Sequence, residues 1–428
     1  MKKTLYCLLV LLVAIPAAFA QEKPSKLTNH LTPYGFFRTF AIFDSRQNQA
    51  GLEDLFYYVP LDKNNDPMTG RDMNANPSFK LLSITTRLGF DMSGYQFGST
   101  KVTGKLEVDF YLMNGSAASL RLRQAYVKLL WDGLGYADNT ISLTVGQAWN
   151  PMSADKPYSV NLESGTPFNP FSRSPQVMMD ASLGKNFILT AGAIYPMQFR
   201  PTGPEGASEN YIKYGMIPEL YAGVTFRGGD FLARLGADFI SIKPRWRRVK
   251  DRISFITPML YLQYSYENLK VNAKTLLASG GDHLCLMNGY ALYDYSDPDR
   301  YLYTPLRSSS SYFSFSYGKK WQLLCMVGYI KALGAAHPLE LAESGTYKGY
   351  VDPADIHYFT RGFKNIDQLM RVTPTLAYNA GKLTVALEYN ATYVEYGDLT
   401  KIGANGLSTV KPHGILNHRL LGVLKFNL

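Results

Sequence analysis

Hydrophobic and polar residues alternate along most of the chain. The stretch KVTGKLEVDFYLM (101–113) is an example, with Leu106 and Phe110 on one parity and Lys105 and Asp109 on the other. A period of two places successive side chains on opposite faces of a β-strand. The stretch is therefore predicted to form a strand with one apolar face and one charged face.

The same alternation recurs up to the C-terminus and predicts sixteen strands. Most of the segments reach the roughly 9–11 residues that a tilted strand needs to cross a bilayer. They lie near residues 34–44, 80–92, 101–113, 119–131, 139–149, 172–182, 186–198, 216–227, 230–243, 253–266, 269–280, 310–317, 320–332, 369–379, 382–395 and 415–428. Segment 119–131 changes parity near Arg123, which predicts a bulge there.

Short turns alternate with long loops between these segments. Tight connections such as GGD (228–230) and AGK (380–382) contain glycine, as hairpin turns often do. Long polar stretches such as 45–79 and 281–309 separate one hairpin from the next. This regular alternation of short turns and long loops is typical of membrane barrels, in which the two kinds of connection lie at opposite ends.

The predicted fold is all-β: a sixteen-stranded antiparallel transmembrane β-barrel. In hydrocarbon every backbone N–H and C=O group needs a partner, so the sheet must close on itself. The apolar faces would contact lipid, and the charged faces would line a lumen that is water-filled at about sixteen strands. A large soluble β-sandwich or propeller, with its apolar faces buried against each other, is the alternative.

The first twenty residues have the pattern of an export signal. Lys2 and Lys3 precede an apolar run from Leu5 to Ile15, and Ala18-Phe19-Ala20 forms a cleavage site of the small-x-small type. We therefore expect a signal peptide at 1–20, a short periplasmic segment at 21–33 and the barrel at 34–428. The expected location is the outer membrane of a Gram-negative bacterium.

Composition narrows the functional classes further. No apolar run of about 18 residues follows the signal, which argues against transmembrane helices. The net charge of +10 is scattered, without the basic patch that nucleic-acid binding requires, so no nucleic-acid partner is expected. Cys285 and Cys325 are too few for a disulfide scaffold in a chain of this size and are expected to be unpaired.

The charged faces of the first four strands carry a cluster of cations. These cations are Arg38, Arg87, Lys105, Arg121 and Arg123. Together with the acid Asp109, they form the part of a candidate pore constriction that lies on the strands. The loop after the fifth strand (150–171) contains several prolines and phenylalanines, which predicts that it packs inward. Its Asp155 and Glu163 are expected to face the arginines. Arginine and lysine in a pore favour anions.

Four short sequences resemble the DcaP-like branch of the bacterial outer-membrane porins, within the sixteen-stranded general-porin superfamily. They are GFFRTFAIFDSR (35–46), LRLRQAYVKLLW (120–131), VGQAWNPM (145–152) and PFNPFSRSPQ (167–176). The resemblance covers essentially the whole chain after the signal. It implies that the five cations match the basic constriction wall of that branch and that 150–171 matches its inward loop.

The resemblance also implies a function and partners. It implies a homotrimer of separate pores for the passive diffusion of small hydrophilic solutes, with anions such as dicarboxylates favoured. Outer-membrane lipids, lipopolysaccharide and the barrel-assembly machinery are the other expected partners. The loop NGSAAS (114–119) is too short to latch a neighbouring copy as in general porins, so the long first loop (45–79) is the candidate to replace it.

Two alternative functions remain open at this point. One is a substrate-specific channel, for example for dicarboxylates or saccharides. The other is an outer-membrane barrel enzyme such as a lipase or protease. Most of the six histidines fall in predicted loops, and no G-x-S-x-G or H-E-x-x-H motif is present, so no enzyme activity is expected.

The loop DYSDPDR (294–300) contains a candidate metal site. Asp294, Asp297 and Asp299 are hard oxygen donors that could hold Ca²⁺, although the regular twelve-residue calcium loop is absent. A Pro-Asp surface turn is the simpler interpretation of the same residues. No other cofactor is expected.

Overall fold

The computed structural model describes residues 30–51, 54–112, 118–133, 138–160, 165–343 and 346–428. The predicted signal peptide (1–20) and all but the last four residues of the predicted periplasmic segment (21–33) lie outside this part of the chain. The same holds for Glu163 of the predicted constriction.

Sixteen antiparallel strands form a closed barrel, which confirms the predicted fold class. Each strand pairs with its neighbours in sequence, and the last strand pairs with the first from Phe36 opposite Asn427 to Asp44 opposite Arg419. The strands are β1 Leu31–Asp44, β2 Ser78–Leu82 with Arg87–Phe97, β3 Thr100–Leu112, β4 Ala118–Asp132, β5 Thr140–Trp149, β6 Arg173–Leu183, β7 Phe187–Ile194, β8 Glu219–Gly228, β9 Phe231–Ile242, β10 Ile253–Tyr266, β11 Leu269–Ser279, β12 Leu302–Gly318, β13 Trp321–Ala335, β14 Ile366–Val372 with Thr375–Ala380, β15 Leu383–Tyr396 and β16 His413–Asn427.

Alternation of side chains gives the barrel an apolar outside and a polar inside. On β3, Leu106 is exposed on the outer face, whereas Glu107 and Asp109 on the other parity are buried. On β15, Leu387 is exposed and Glu388 is buried. The sequence period of two therefore separates a face suited to lipid from a face that contacts the interior.

Strands β2 and β14 are each interrupted, which the sequence pattern did not predict. β2 breaks at residues 83–86, where Thr85 is buried and has a φ of 68°. Residues with this left-handed backbone cannot continue a regular strand. β14 breaks next to Pro374, which has no N–H group to donate to the ladder. The predicted bulge on β4 is confirmed, since the register shifts between Glu107 and Val108 opposite Arg123.

Short elements occupy the long-loop end of the barrel. A hairpin pairs Asn48–Gly51 with Phe56–Pro60. The other short strands and helical turns are Thr202–Gly203, Gly206–Ala207, Gly289–Asp294, Glu340–Glu343, Thr346–Tyr350, His357–Thr360, the helix α1 Asn210–Lys213, and the 3-10 turns Pro151–Ser153, Asp282–Leu284 and Pro353–Asp355. No helix among the described residues is long and apolar enough to span a membrane.

Candidate functional site

The loop between β5 and β6 folds into the barrel, as the sequence predicts. This inward loop (150–172) starts at a 3-10 turn capped by Asn150, whose Oδ1 accepts a hydrogen bond from the Met152 N–H at 2.8 Å. Lys274 on β11 then donates to the Met152 carbonyl at 2.5 Å. The first part of the loop is thereby fixed to the barrel wall close to where it leaves β5.

The tip of the inward loop reaches the opposite wall. The Tyr158 N–H donates to Ser314 Oγ on β12 at 2.9 Å. Glu388 on β15 accepts from Ser159 Oγ at 2.6 Å and from the Val160 N–H at 3.0 Å. The loop therefore crosses the lumen and narrows it.

The returning part of the inward loop is held by packing and by one arginine. Phe168 is completely buried among apolar residues of β10, β12, β13 and β14. Arg371 on β14 donates to the Thr166 carbonyl at 2.9 Å. The same guanidinium donates to the carbonyl of Tyr57 at 3.2 Å and to that of Tyr58 at 2.6 Å. The first long loop is therefore also folded inward, which the sequence did not predict.

The second part of the site is the basic wall, which we define as Arg38, Arg87, Lys105, Arg121 and Arg123. The structure places these residues on the adjacent strands β1 to β4, so they lie on one side of the barrel. Glu107 and Asp109 on β3 lie among them. The wall is therefore a network of charges and not a row of isolated cations.

The arginines of β4 are bound tightly to these carboxylates. Arg121 forms two hydrogen bonds with Asp109, from Nε at 3.0 Å and from Nη2 at 2.9 Å. Arg123 contacts both Glu107, at 2.8 Å, and Asp109, at 2.5 Å. Its side chain is only 1% exposed. The charge of Arg123 is therefore compensated within the wall, and the residue acts mainly to hold the two acids.

Lys105 closes the other end of the network. Its Nζ lies 2.6 Å from Asp91 Oδ1 and donates to Tyr34 Oη at 3.1 Å. Tyr34 in turn donates to Glu107 Oε2 at 3.0 Å. This tyrosine links the two parts of the wall, although no pattern in the sequence singles it out.

Three cations surround the ring of Phe36 on β1. The distances from the ring centroid are 4.9 Å to Arg38 Cζ, 5.0 Å to Arg87 Cζ and 4.5 Å to Lys425 Nζ. We call Phe36 and these three cations the Phe36 cluster. Lys425 belongs here because β16 pairs with β1, and a closed barrel makes the last strand a neighbour of the first.

Asp155 does not face the basic wall, so that expectation is wrong. Its carboxylate forms an ion pair with Arg234 on β9 instead. The reason is its position, because Asp155 lies in the first part of the inward loop. The backbone carbonyl of Asp155 also accepts a hydrogen bond from Tyr312 on β12 at 3.2 Å. Only the tip of the loop, which begins near Tyr158, lies farther across.

Two of the three aspartates proposed for Ca²⁺ use their carboxylates to stabilise turns. Asp294 Oδ1 accepts from the N–H and the hydroxyl of Ser296, at 3.0 Å and 2.6 Å. Asp297 Oδ1 accepts from the Asp299 N–H at 2.9 Å. The carboxylate oxygens of Asp294, Asp297 and Asp299 do not all lie within 4.8 Å of one another. A Ca²⁺ site in this loop stays a prediction.

The structure is similar to solved outer-membrane porins. It matches the outer membrane channel DcaP of Acinetobacter baumannii with a TM-score of 0.65 and 16% sequence identity, over 93% of this chain and 97% of that chain. The chain has the porin fold. It also matches an anion-selective porin from Comamonas acidovorans (TM-score 0.52, 10% identity, 93% and 99% of the two chains) and OmpF of Salmonella typhi in complex with daunomycin (TM-score 0.52, 11% identity, 93% and 97%).

Sequence comparison alone does not reach this result. No family model matches the chain, and no curated protein matches it. The porin fold is therefore recognised from the barrel itself, and the chemistry of its lumen has to be argued from this chain's own residues. The porin fold accounts for the apolar outer face.

Proposed function

We propose that the protein is an outer-membrane channel for the passive diffusion of small hydrophilic solutes, with a mild preference for anions. The observation that carries this proposal is the Phe36 cluster. Arg38, Arg87 and Lys425 come from three adjacent strands and gather around one ring on the lumenal side of the barrel. Neighbouring cations of this kind attract small anions and repel small cations.

The balance of charge in the wall supports the same preference. The basic wall and Lys425 together contain six cations, and among the described residues three carboxylates, those of Asp91, Glu107 and Asp109, are bonded to them. Within this part of the chain the excess is positive, and the low-dielectric barrel around the lumen strengthens its field. Among small anions, we expect the passage of dicarboxylates to be favoured most, because their two negative groups can contact cations on two strands.

Ion selectivity in a planar bilayer tests this proposal. With a KCl gradient across the membrane, wild-type channels should show a reversal potential that indicates preferential chloride passage. Arg87→Ala should shift it toward the cation-selective side. Lys101→Ala is the matched control, because Lys101 pairs with Asp132 near the short-turn end and lies outside the wall. A cation-selective wild type would contradict the anion preference but not the channel.

The proposal includes assembly into homotrimers, which the resemblance to porins favours. Purified protein in detergent should then have the mass of three chains. One inserted particle should lose its conductance in three equal steps, one for each pore. Lipopolysaccharide and the assembly machinery are expected partners of any barrel in this membrane. A monodisperse monomer that conducts in single steps would contradict the trimer.

A further inference from the structure

A second polar cluster lies near the long-loop end of the barrel, away from the basic wall. Glu219 begins β8, Asp238 lies on β9, and His283 lies in the loop that follows β11. All three side chains are buried. One carboxylate oxygen of each acid and one ring nitrogen of the histidine lie within 4.8 Å of one another.

The distances in this cluster suit a small metal ion. His283 Nε2 lies 3.2 Å from Asp238 Oδ2 and 3.9 Å from Glu219 Oε2. Donor atoms around a tetrahedral Zn²⁺ with bonds of about 2.0–2.1 Å are separated by roughly 3.3 Å. Small side-chain adjustments are enough to place all three donors at bonding distance from one ion.

The cluster also lacks the partners that its charges need. Glu219 Oε2 and Asp238 Oδ1 are buried and have no hydrogen-bond partner within the part of the chain that the structure describes. Among the described residues, His283 is the only group that forms an ion pair with either carboxylate. Burying two carboxylates beside one histidine is costly, because at most one positive charge compensates them. A divalent cation would neutralise both and occupy the unpartnered oxygens.

Asn150 orients one of the acids toward the histidine. Its Nδ2 donates to Glu219 Oε1 at 2.5 Å, which leaves Oε2 on the side of His283. Asn150 is itself completely buried and caps the first turn of the inward loop. Metal ligands in proteins are commonly held by a neighbouring hydrogen bond of this kind.

We propose that Glu219, Asp238 and His283 bind one divalent transition-metal ion of the Zn²⁺ class. Two carboxylates and an imidazole are suitable ligands for such an ion. Ca²⁺ is disfavoured, since it takes six to eight oxygen ligands. The ion would join β8 and β9 to the loop after β11 and, through Asn150, to the inward loop. It would therefore stabilise the constriction.

Metal binding by the full-length protein in detergent tests this proposal. After treatment with a chelator, wild-type protein should take up one Zn²⁺ per chain in a calorimetric titration. Asp238→Asn and His283→Gln should each weaken binding at least tenfold. Asp180→Asn is the matched control, because Asp180 is another acid of the barrel wall, on β6, that pairs with Lys128. Zn²⁺ uptake equal in the wild type and in both site variants would overturn the proposal.

A measurement on the wild type alone decides the question if the variants fail to fold. Co²⁺ should give the visible absorption bands of a four-coordinate ion with nitrogen and oxygen ligands, and Zn²⁺ should abolish them. If neither Co²⁺ absorption nor Zn²⁺ uptake is observed, the two carboxylates are held by a shared proton and the metal proposal is wrong. That result would leave the proposed channel function intact, because the two experiments examine different parts of the barrel.

Discussion

Arg38 on β1 and Lys425 on β16 are directly opposite each other across the pair of strands that closes the barrel. Like charges in such positions repel each other. Here both cations also contact the ring of Phe36, at 4.9 Å and 4.5 Å from its centroid. The closure of the barrel thus brings residues from the two ends of the chain into one positively charged cluster.

Reversing the charge of Lys425 should reduce anion preference. Two unit charges 4 Å apart interact by about 1 kcal/mol in water, and Lys→Glu changes the sign of that energy, which is a difference of about 2 kcal/mol for each ion. Because this difference is unfavourable for chloride and favourable for potassium, Lys425→Glu should lower the ratio of chloride to potassium permeability by more than about tenfold, as measured by reversal potentials. Lys101→Glu, near the short-turn end, should change the ratio far less. Equal effects of the two changes would contradict the role of the Phe36 cluster.

Removing Arg123 should destabilise the barrel strongly. Arg123→Ala leaves Glu107 and Asp109 buried without the guanidinium that contacts both. Breaking a buried ion pair by removing one partner costs about 3–5 kcal/mol. Equilibrium unfolding in urea, followed by tryptophan fluorescence in detergent micelles, should show this loss.

Lys101→Ala is the comparison for that measurement. It removes an exposed partner of Asp132, and exposed ion pairs contribute about 0–1 kcal/mol. If Arg123→Ala were no more destabilising than Lys101→Ala, the buried network would not hold the wall together.

Truncating Phe168 should loosen the inward loop. Phe168→Ala removes a fully buried ring, and such changes cost about 3–5 kcal/mol. Because the ring fixes the loop to the far wall, we expect a larger single-channel conductance as well as lower stability. Phe79→Ala is the control, since Phe79 on β2 is 71% exposed on the outer face. Unchanged conductance in Phe168→Ala would mean that hydrogen bonds alone position the loop.

Gly328 on β13 provides space for the same ring. A Cβ atom at this position would lie 2.5 Å from Phe168 Cγ, so Gly328→Ala must displace the ring. We expect a lower melting temperature and a conductance that differs from that of the wild type. Gly422→Ala should be tolerated, because its Cβ would meet Ala41 at an ordinary 3.8 Å. Equal melting temperatures for the two variants would argue against close packing between Gly328 and Phe168.

The strands and their faces follow from the sequence because the period of two is a local property. The bulge at Arg123 follows for the same reason, since an extra residue changes the parity within one segment. The inward loop could be predicted from its prolines and phenylalanines, which are unsuited to an exposed, mobile connection. These features need no knowledge of which strands are neighbours.

The remaining features depend on contacts between distant parts of the chain. The partner of Asp155 is set by the path of the inward loop past β9, and Thr85 is placed beside Arg38 by a backbone break. Glu219, Asp238 and His283 come together only when a loop residue folds over two strands. The position of Lys425 beside the first strand could be predicted from the sequence, because closure of a predicted barrel makes β16 the neighbour of β1.

Arg371 links the order of assembly to the width of the opening. It lies on the fourteenth strand, yet it binds carbonyl groups of residues 57, 58 and 166, which are synthesised far earlier. Until that strand is in place, neither loop has this anchor. The first long loop and the returning part of the inward loop therefore gain this common attachment only once the fourteenth strand has joined the sheet.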